Sequence, residues 1–207
     1  MDKQELINKF RDINVDNDWW YDHVYEDFVE SMTAYGIEVD RMFFNGFWSQ
    51  GDGACFEGSV NDWGLFLDSC GYTEAEHSAL HKLARQRRLY PFGWSFSVSH
   101  RGHYYHEECT YFHVDMPNPD YYGREEFIEN YTPYDWKIDD IRTLAWYEIL
   151  TGYDYDGLER DFTEYFKSHM RDLYRNLWAE YEYLVSDEAV WDAIEANELD
   201  TELEDAA

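Results

Sequence analysis

Four histidines crowd one short stretch, His100, His103, His106 and His113, with Glu107 among them. Zinc is held by three or four such side chains converging at about 2.0–2.3 Å on one point. Two β-rich runs flank Arg101-Gly102, which predicts a tight hairpin with His100 facing His103 and Ser97 facing His106. In that register His106 points to the opposite face and His113 stands several residues away, so at most two ligands converge. The order His-x-x-His-Glu also lacks the helical H-E-x-x-H spacing of metalloproteases. No metal and no cofactor is expected. Cys55 or Cys109 could meet His106 as a thiol and its base, but nothing in the local sequence supports that pairing, and buried free cysteines are common.

A second candidate is FWSQGDGACFEG, residues 47–58. A P-loop requires G-x-x-x-x-G-K-[ST], and this stretch has no lysine. A dinucleotide loop requires a third glycine and a helix to follow; here the chain runs into a strand, and Asp52 would oppose a phosphate. The structural reading is a turn, Ser49-Gln50-Gly51-Asp52-Gly53, joining strands over 41–48 and 54–60. Ser49, Gln50 and Asp52, set against His103, His106 and Glu107, form a possible ligand loop. They are the basis of an alternative reading as a small enzyme, such as a metal-assisted hydrolase.

The elements that must position these residues follow from periodicity. Trp20, Val24, Phe28 and Met32 recur at steps of four over 19–35, with Asp18 as N-cap and Gly36 as stop, which predicts a helix. IEVDRMFFNGFW reads as a strand entering the core and CFEGSV as its return. Tyr72–Arg88 reads as a helix opened by a Thr73/Glu76 capping box. It ends in the basic cluster Lys82, Arg85, Arg87 and Arg88, expected to pair with acidic groups. Residues 115–138 carry three of the four prolines and read as a linker. Helices are predicted over 139–150, ended by Gly152, and over 155–185. In the latter, Leu158, Phe162, Phe166, Met170, Leu173, Leu177, Tyr181 and Leu184 form one apolar stripe. Ser186 caps a last helix bearing Val190, Trp191 and Ile194. The fold class is α+β: a small antiparallel sheet core with an N-terminal helix over residues 1–114, and an acidic helical lobe over 139–207 packed on it.

Charge bounds the function. The chain of 207 residues carries 45 Asp and Glu against 16 Lys and Arg, a net of −29, yet is 20 % aromatic, so it has ample core and is not disordered. Residues 107–207 hold 28 acidic and 7 basic residues, and no basic residue follows Arg175. Nucleic acid and anionic lipid would be repelled, so the expected partner is a cationic protein surface. Three cysteines without a C-x-x-C spacing fit a reducing cytoplasm. MDKQELINKF lacks a signal-peptide core, and the longest uncharged apolar run, MFFNGFW, is too short for a membrane span.

The acidic helices hold the expected site. Asp154, Asp156, Glu159, Asp161 and Glu164 cluster at the start of the long helix, where the dipole accounts for part of them. It does not account for Asp172, Glu180, Glu182, Asp187, Glu188, Asp192 and Glu195. Carboxylates three or four positions apart stand about 5–6 Å from one another, a separation similar to that of successive phosphates. Tyr165, Trp178, Tyr181, Tyr183 and Trp191 would add contact area.

Residues 44–58 (FNGFWSQGDGACFEG), 100–108 (HRGHYYHEE) and 177–197 (LWAEYEYLVSDEAVWDAIEAN) together resemble an uncharacterised family of tailed-bacteriophage proteins, sometimes labelled antitoxin-like. The resemblance implies a phage protein acting in the cytoplasm of an infected cell; it brings no reaction with it. With the charge, it gives the expectation of a non-enzymatic inhibitor that mimics DNA and blocks a basic nucleic-acid-binding host protein, with no direct contact to nucleic acid or membrane.

Overall fold

A computed structural model describes residues 2–17, 19–84, 95–115, 123–131 and 139–200. The protein is α+β. Its helices are α1 (Lys3–Lys9), α2 (Asp22–Ala34), α3 (Trp63–Ser69), α4 (Ser78–Ala84), α5 (Arg124–Tyr131), α6 (Asp139–Leu150), α7 (Tyr155–Leu184) and α8 (Asp187–Ala196). Its strands are β1 (Ile37–Phe44), β2 (Ala54–Val60), β3 (Ser95–His100) and β4 (Thr110–Asp115). They form one antiparallel sheet in the order β1-β2-β3-β4. The chain divides into two compact units, Met1–Phe28 with Asp172–Ala207, and Val29–Arg171.

In the larger unit the sheet covers the first half of α7. Phe56, Phe96 and Phe112 alternate inward along their strands and meet Phe166, whose ring lies 5.6 Å from Phe56, 5.1 Å from Phe96 and 6.2 Å from Phe112. Phe162 and Phe166 are fully buried, as are Phe56 and Phe66. This cluster, with Trp63 and Leu67, is where the aromatic content of the sequence goes. Gly36 ends α2 at φ +74°, and a side chain there would strike the Asp62 carbonyl at 2.2 Å, so glycine is required for both reasons.

In the smaller unit α1 lies on α8. Leu6, Ile7, Val190 and Ile194 are its buried centre, with Phe10, Ile13, Trp191 and Leu199 packed around them. Asp2 and Glu5 close a reciprocal capping box on α1, and Ser186 caps α8 through the Ala189 amide. Asn14 donates to the carbonyls of Leu184 and Ala189 at 2.9 and 3.2 Å, and Arg11 to that of Val185 at 3.0 Å.

Several expected elements are corrected. The helix expected to open at Tyr72 begins only at Ser78: Thr73 offers its carbonyl to the amides of Glu76 and His77 and makes a turn instead. Before it, α3 is started by Asp62, which accepts from the amides of Gly64 and Leu65. Residues 124–131 of the expected linker are helical. Strand β1 stops at Phe44, before Asn45-Gly46. Asp18, Arg85, Arg87, Arg88, the tail from residue 201 and the linker segments 116–122 and 132–138 lie outside the described residues.

Candidate functional site

The connections β1–β2 (residues 45–53) and β3–β4 (residues 101–109) meet at one end of the sheet. They meet through glycine. Gly51 has φ +94°, and a Cβ there would stand 2.1 Å from Cδ1 of Tyr104. A Cβ on Gly53 would stand 2.9 Å from the His106 Cα and from the Tyr105 carbonyl oxygen. The polar residues of the first loop serve the turn itself. Asp52 Oδ2 accepts from the Ser49 amide at 2.5 Å, and Asn45 Oδ1 accepts from the Gly53 amide at 3.0 Å. Ser49, Gln50, Asp52, His103, His106 and Glu107 are therefore brought to the same end of the sheet, with glycines against a ring and a backbone at the contact.

The tight turn at Arg101-Gly102 is not formed. His100 faces Thr110 and Ser97 faces His113, so His100 and His103 do not converge across a two-residue loop. The chain instead uses nine residues, because His106 starts a single 3₁₀ turn at Glu107–Cys109. His106 Nδ1 lies 3.3 Å from the Glu108 amide and 3.1 Å from Glu107 Oε2; neutral, it accepts from the first, and protonated, it donates to the second. His113 pairs with Ser99 Oγ at 2.9 Å on the exposed side of the sheet. Among the described residues, no group of three or more His, Cys, Asp or Glu side chains is arranged to hold a metal ion.

Beneath the loops lies a cluster not anticipated from the sequence. The His100 ring packs between Phe43 (5.0 Å) and Tyr105 (5.1 Å), and its Nδ1 is 3.6 Å from the Cys55 sulfur. Glu57 accepts from the His100 amide at 3.0 Å, where the β2–β3 ladder has ended. Cys55 is wholly buried, and that burial, then the charges of Cys109, Glu57 and Glu107, push its thiol up to about 12. It stays protonated and is a packing group, not a nucleophile, and its partner is His100 rather than His106. No local spacing signals this cluster: Phe43, Cys55, His100 and Tyr105 come from separate segments, and the observed register sets Phe43 opposite Cys55.

The acidic residues divide between the units. In the larger one Asp154, Asp156, Glu159, Asp161 and Glu164 are all exposed on α7 or just before it. Asp161 accepts from the Tyr72 hydroxyl at 2.7 Å, and Glu164 pairs with Arg171. Lys82 is exposed in the last turn of α4. The smaller unit is more strongly charged: it holds 20 acidic and 4 basic residues, a net of −16 out of −29. There Asp172 pairs with Arg175, Glu180 with His23 at 3.4 Å, and Asp187 with Arg11 at 2.9 Å. Arg11, then Gln4, hold the Asp187 carboxyl below the usual range. Glu182 is exposed, and so are Glu188, Asp192 and Glu195, which follow one another along α8 opposite the buried Val190 and Ile194. Of the aromatics expected to add contact area, Tyr183 is exposed, while Tyr165, Trp178, Tyr181 and Trp191 are partly buried.

Residues 20–187 match a family model described as a domain of unknown function, DUF8835. The chain belongs to the DUF8835 family. No curated protein and no solved structure matches it. The DUF8835 match covers the sheet, both loops and all of α7. Glu188, Asp192 and Glu195 lie beyond its end, and α1 lies before its start.

Proposed function

We propose that the protein is a non-enzymatic inhibitor of phage type, acting in the host cytoplasm, that offers a phosphate-like array of carboxylates to a basic nucleic-acid-binding host protein. The observation that carries this reading is the exposed side of α8. Glu188, Asp192 and Glu195 are spaced by four and three residues on a helix whose opposite side is packed, within a unit of net charge −16. Such spacing sets charges about 5–6 Å apart on a rigid support. Burial of Val190 and Ile194 fixes the rotation of the helix, so the charges are held in place before any partner arrives. Attraction of this kind speeds encounter and weakens with salt. No helix among the described residues is long and apolar enough to cross a membrane.

The test is capture from host lysate by the immobilised protein at low salt, followed by elution with duplex DNA. A basic nucleic-acid-binding protein should be retained, released by DNA and by raised salt, and retained less by a variant carrying Glu188→Gln, Asp192→Asn and Glu195→Gln. Partners indifferent to DNA, or retained equally by the variant, would overturn the reading.

A further inference from the structure

In the smaller unit a groove of about 490 Å³ runs between α1 and α8. Ile7, which is 3 % exposed, and the partly buried Trp191 are its apolar lining. Lys3, Gln4 and the exposed carboxylates Asp187, Glu188 and Asp192 complete it. A cation already sits there: Lys3 Nζ stands over the Trp191 ring, 3.8 Å from its centroid. An aromatic face carries partial negative charge and attracts an ammonium or guanidinium group, Trp most strongly. Lys3 is the first residue of α1 and is itself exposed, so its ammonium can leave the ring without disturbing the buried centre.

We propose that this groove is the seat for an arginine or lysine side chain of a basic protein partner, which displaces Lys3 from Trp191. The inference rests on the inhibitor reading and specifies what the partner offers. The arrangement favours arginine. A guanidinium stacks flat on the indole while its N–H groups reach carboxylates beside it, and it is less strongly hydrated than the ammonium it replaces. Asp187 is already paired with Arg11 and hydrogen-bonded by Gln4, so Glu188 and Asp192 are the carboxylates left to meet the guanidinium. A second copy of this chain, at net −29, is a poor occupant by the same charge argument. Asp187 is the last residue of the 20–187 match, and Lys3, Gln4, Ile7, Glu188, Trp191 and Asp192 lie outside it, so most of the seat belongs to the parts of this chain that flank its DUF8835 region.

The test is titration of the full chain with a hexa-arginine peptide at 50 and 200 mM salt, followed by the Trp191 indole N–H resonance, with binding also measured calorimetrically. Trp191→Leu should weaken binding by about fivefold or more, and Trp191→Phe by less. Lys3→Ala should tighten it about two- to threefold by removing the competing cation. Thermal unfolding of each variant checks that α1 remains on α8; Lys3→Ala removes no buried group and keeps the test decisive if Trp191→Leu fails to fold. Salt-dependent binding of the peptide that Trp191→Leu leaves unchanged, or that Lys3→Ala weakens, overturns the seat while the inhibitor reading stands. No binding at 50 mM salt overturns both. A dimer dissolved by Trp191→Leu would show that a second copy occupies the groove and would also overturn the proposal.

Discussion

Substituting Gly51 tests how closely the two loops are joined. Alanine at this position meets two separate obstacles. The backbone at φ +94° is a region that costs an L-residue about 1–2 kcal/mol. The new Cβ would then stand 2.1 Å from Cδ1, 2.7 Å from Cε1 and 2.8 Å from Cγ of Tyr104. Contact with Cγ means the whole ring must swing about χ1, so overpacking adds about 1–3 kcal/mol. Gly71 provides the control. It has φ +90°, and a Cβ added there would meet nothing within 4 Å, so Gly71→Ala bears the backbone cost alone. Gly51→Ala should therefore destabilise by about 2–5 kcal/mol and Gly71→Ala by about 1–2 kcal/mol. In a Tyr104→Ala background the Gly51→Ala cost should fall to that of Gly71→Ala, because the obstructing ring is gone. The assay is urea unfolding followed by circular dichroism. With a slope of about 2 kcal/mol/M, the excess cost moves the midpoint by roughly 0.5–1.5 M. If Gly51→Ala costs no more than Gly71→Ala, or its cost survives Tyr104→Ala intact, the loops do not meet as described.

Two further predictions concern proton binding and one partly buried amide. Burial raises the Cys55 thiol from about 9 to about 12 and the Tyr165 hydroxyl from about 10 to about 12. The unfolded chain loses these protons first, so their contribution to stability should be constant below about pH 9 and be lost as pH rises from there to about 12. Melting temperatures between pH 8 and 10.5 should show that decline, with a shallower slope in Cys55→Ala; an unchanged slope refutes the assignment. Asn14→Ala removes both donors to the Leu184 and Ala189 carbonyls and should cost about 1–3 kcal/mol by urea unfolding; a change within about 0.5 kcal/mol would mean that those carbonyls find water instead.

Where one residue decides a local structure through its nearest neighbours, the sequence was legible. The stripe Leu158, Phe162, Phe166, Met170, Leu173, Leu177 gives α7 almost to the residue, and Gly36 and Ser186 mark ends that the structure keeps. The failures share a cause. Arg101-Gly102 has the look of a hairpin turn, but the chain turns over nine residues because His106 caps a 3₁₀ turn and Tyr105 packs on Phe43 and His100 from another strand. Thr73 and Glu76 have capping-box spacing, yet Thr73 uses its carbonyl to close a turn. α3 was hidden by its length of seven residues and by Gly64 within it. For the candidate site, the acidic composition is legible in the sequence and the placement of the charges is not. The acidic series from Asp154 to Glu195, continuous in sequence, is instead divided between the two units at Arg171.

The smaller unit has its own consequence for how the protein is made. Leu6 and Ile7 are synthesised more than 180 residues before Val190 and Ile194, which they pack against. The larger unit can condense while translation continues, since its residues are contiguous. The smaller one has to wait for the ribosome to reach α8, and throughout that interval the amino-terminal segment carries an unburied apolar edge. Its early capping box and high density of charge are suited to keeping that waiting segment in solution.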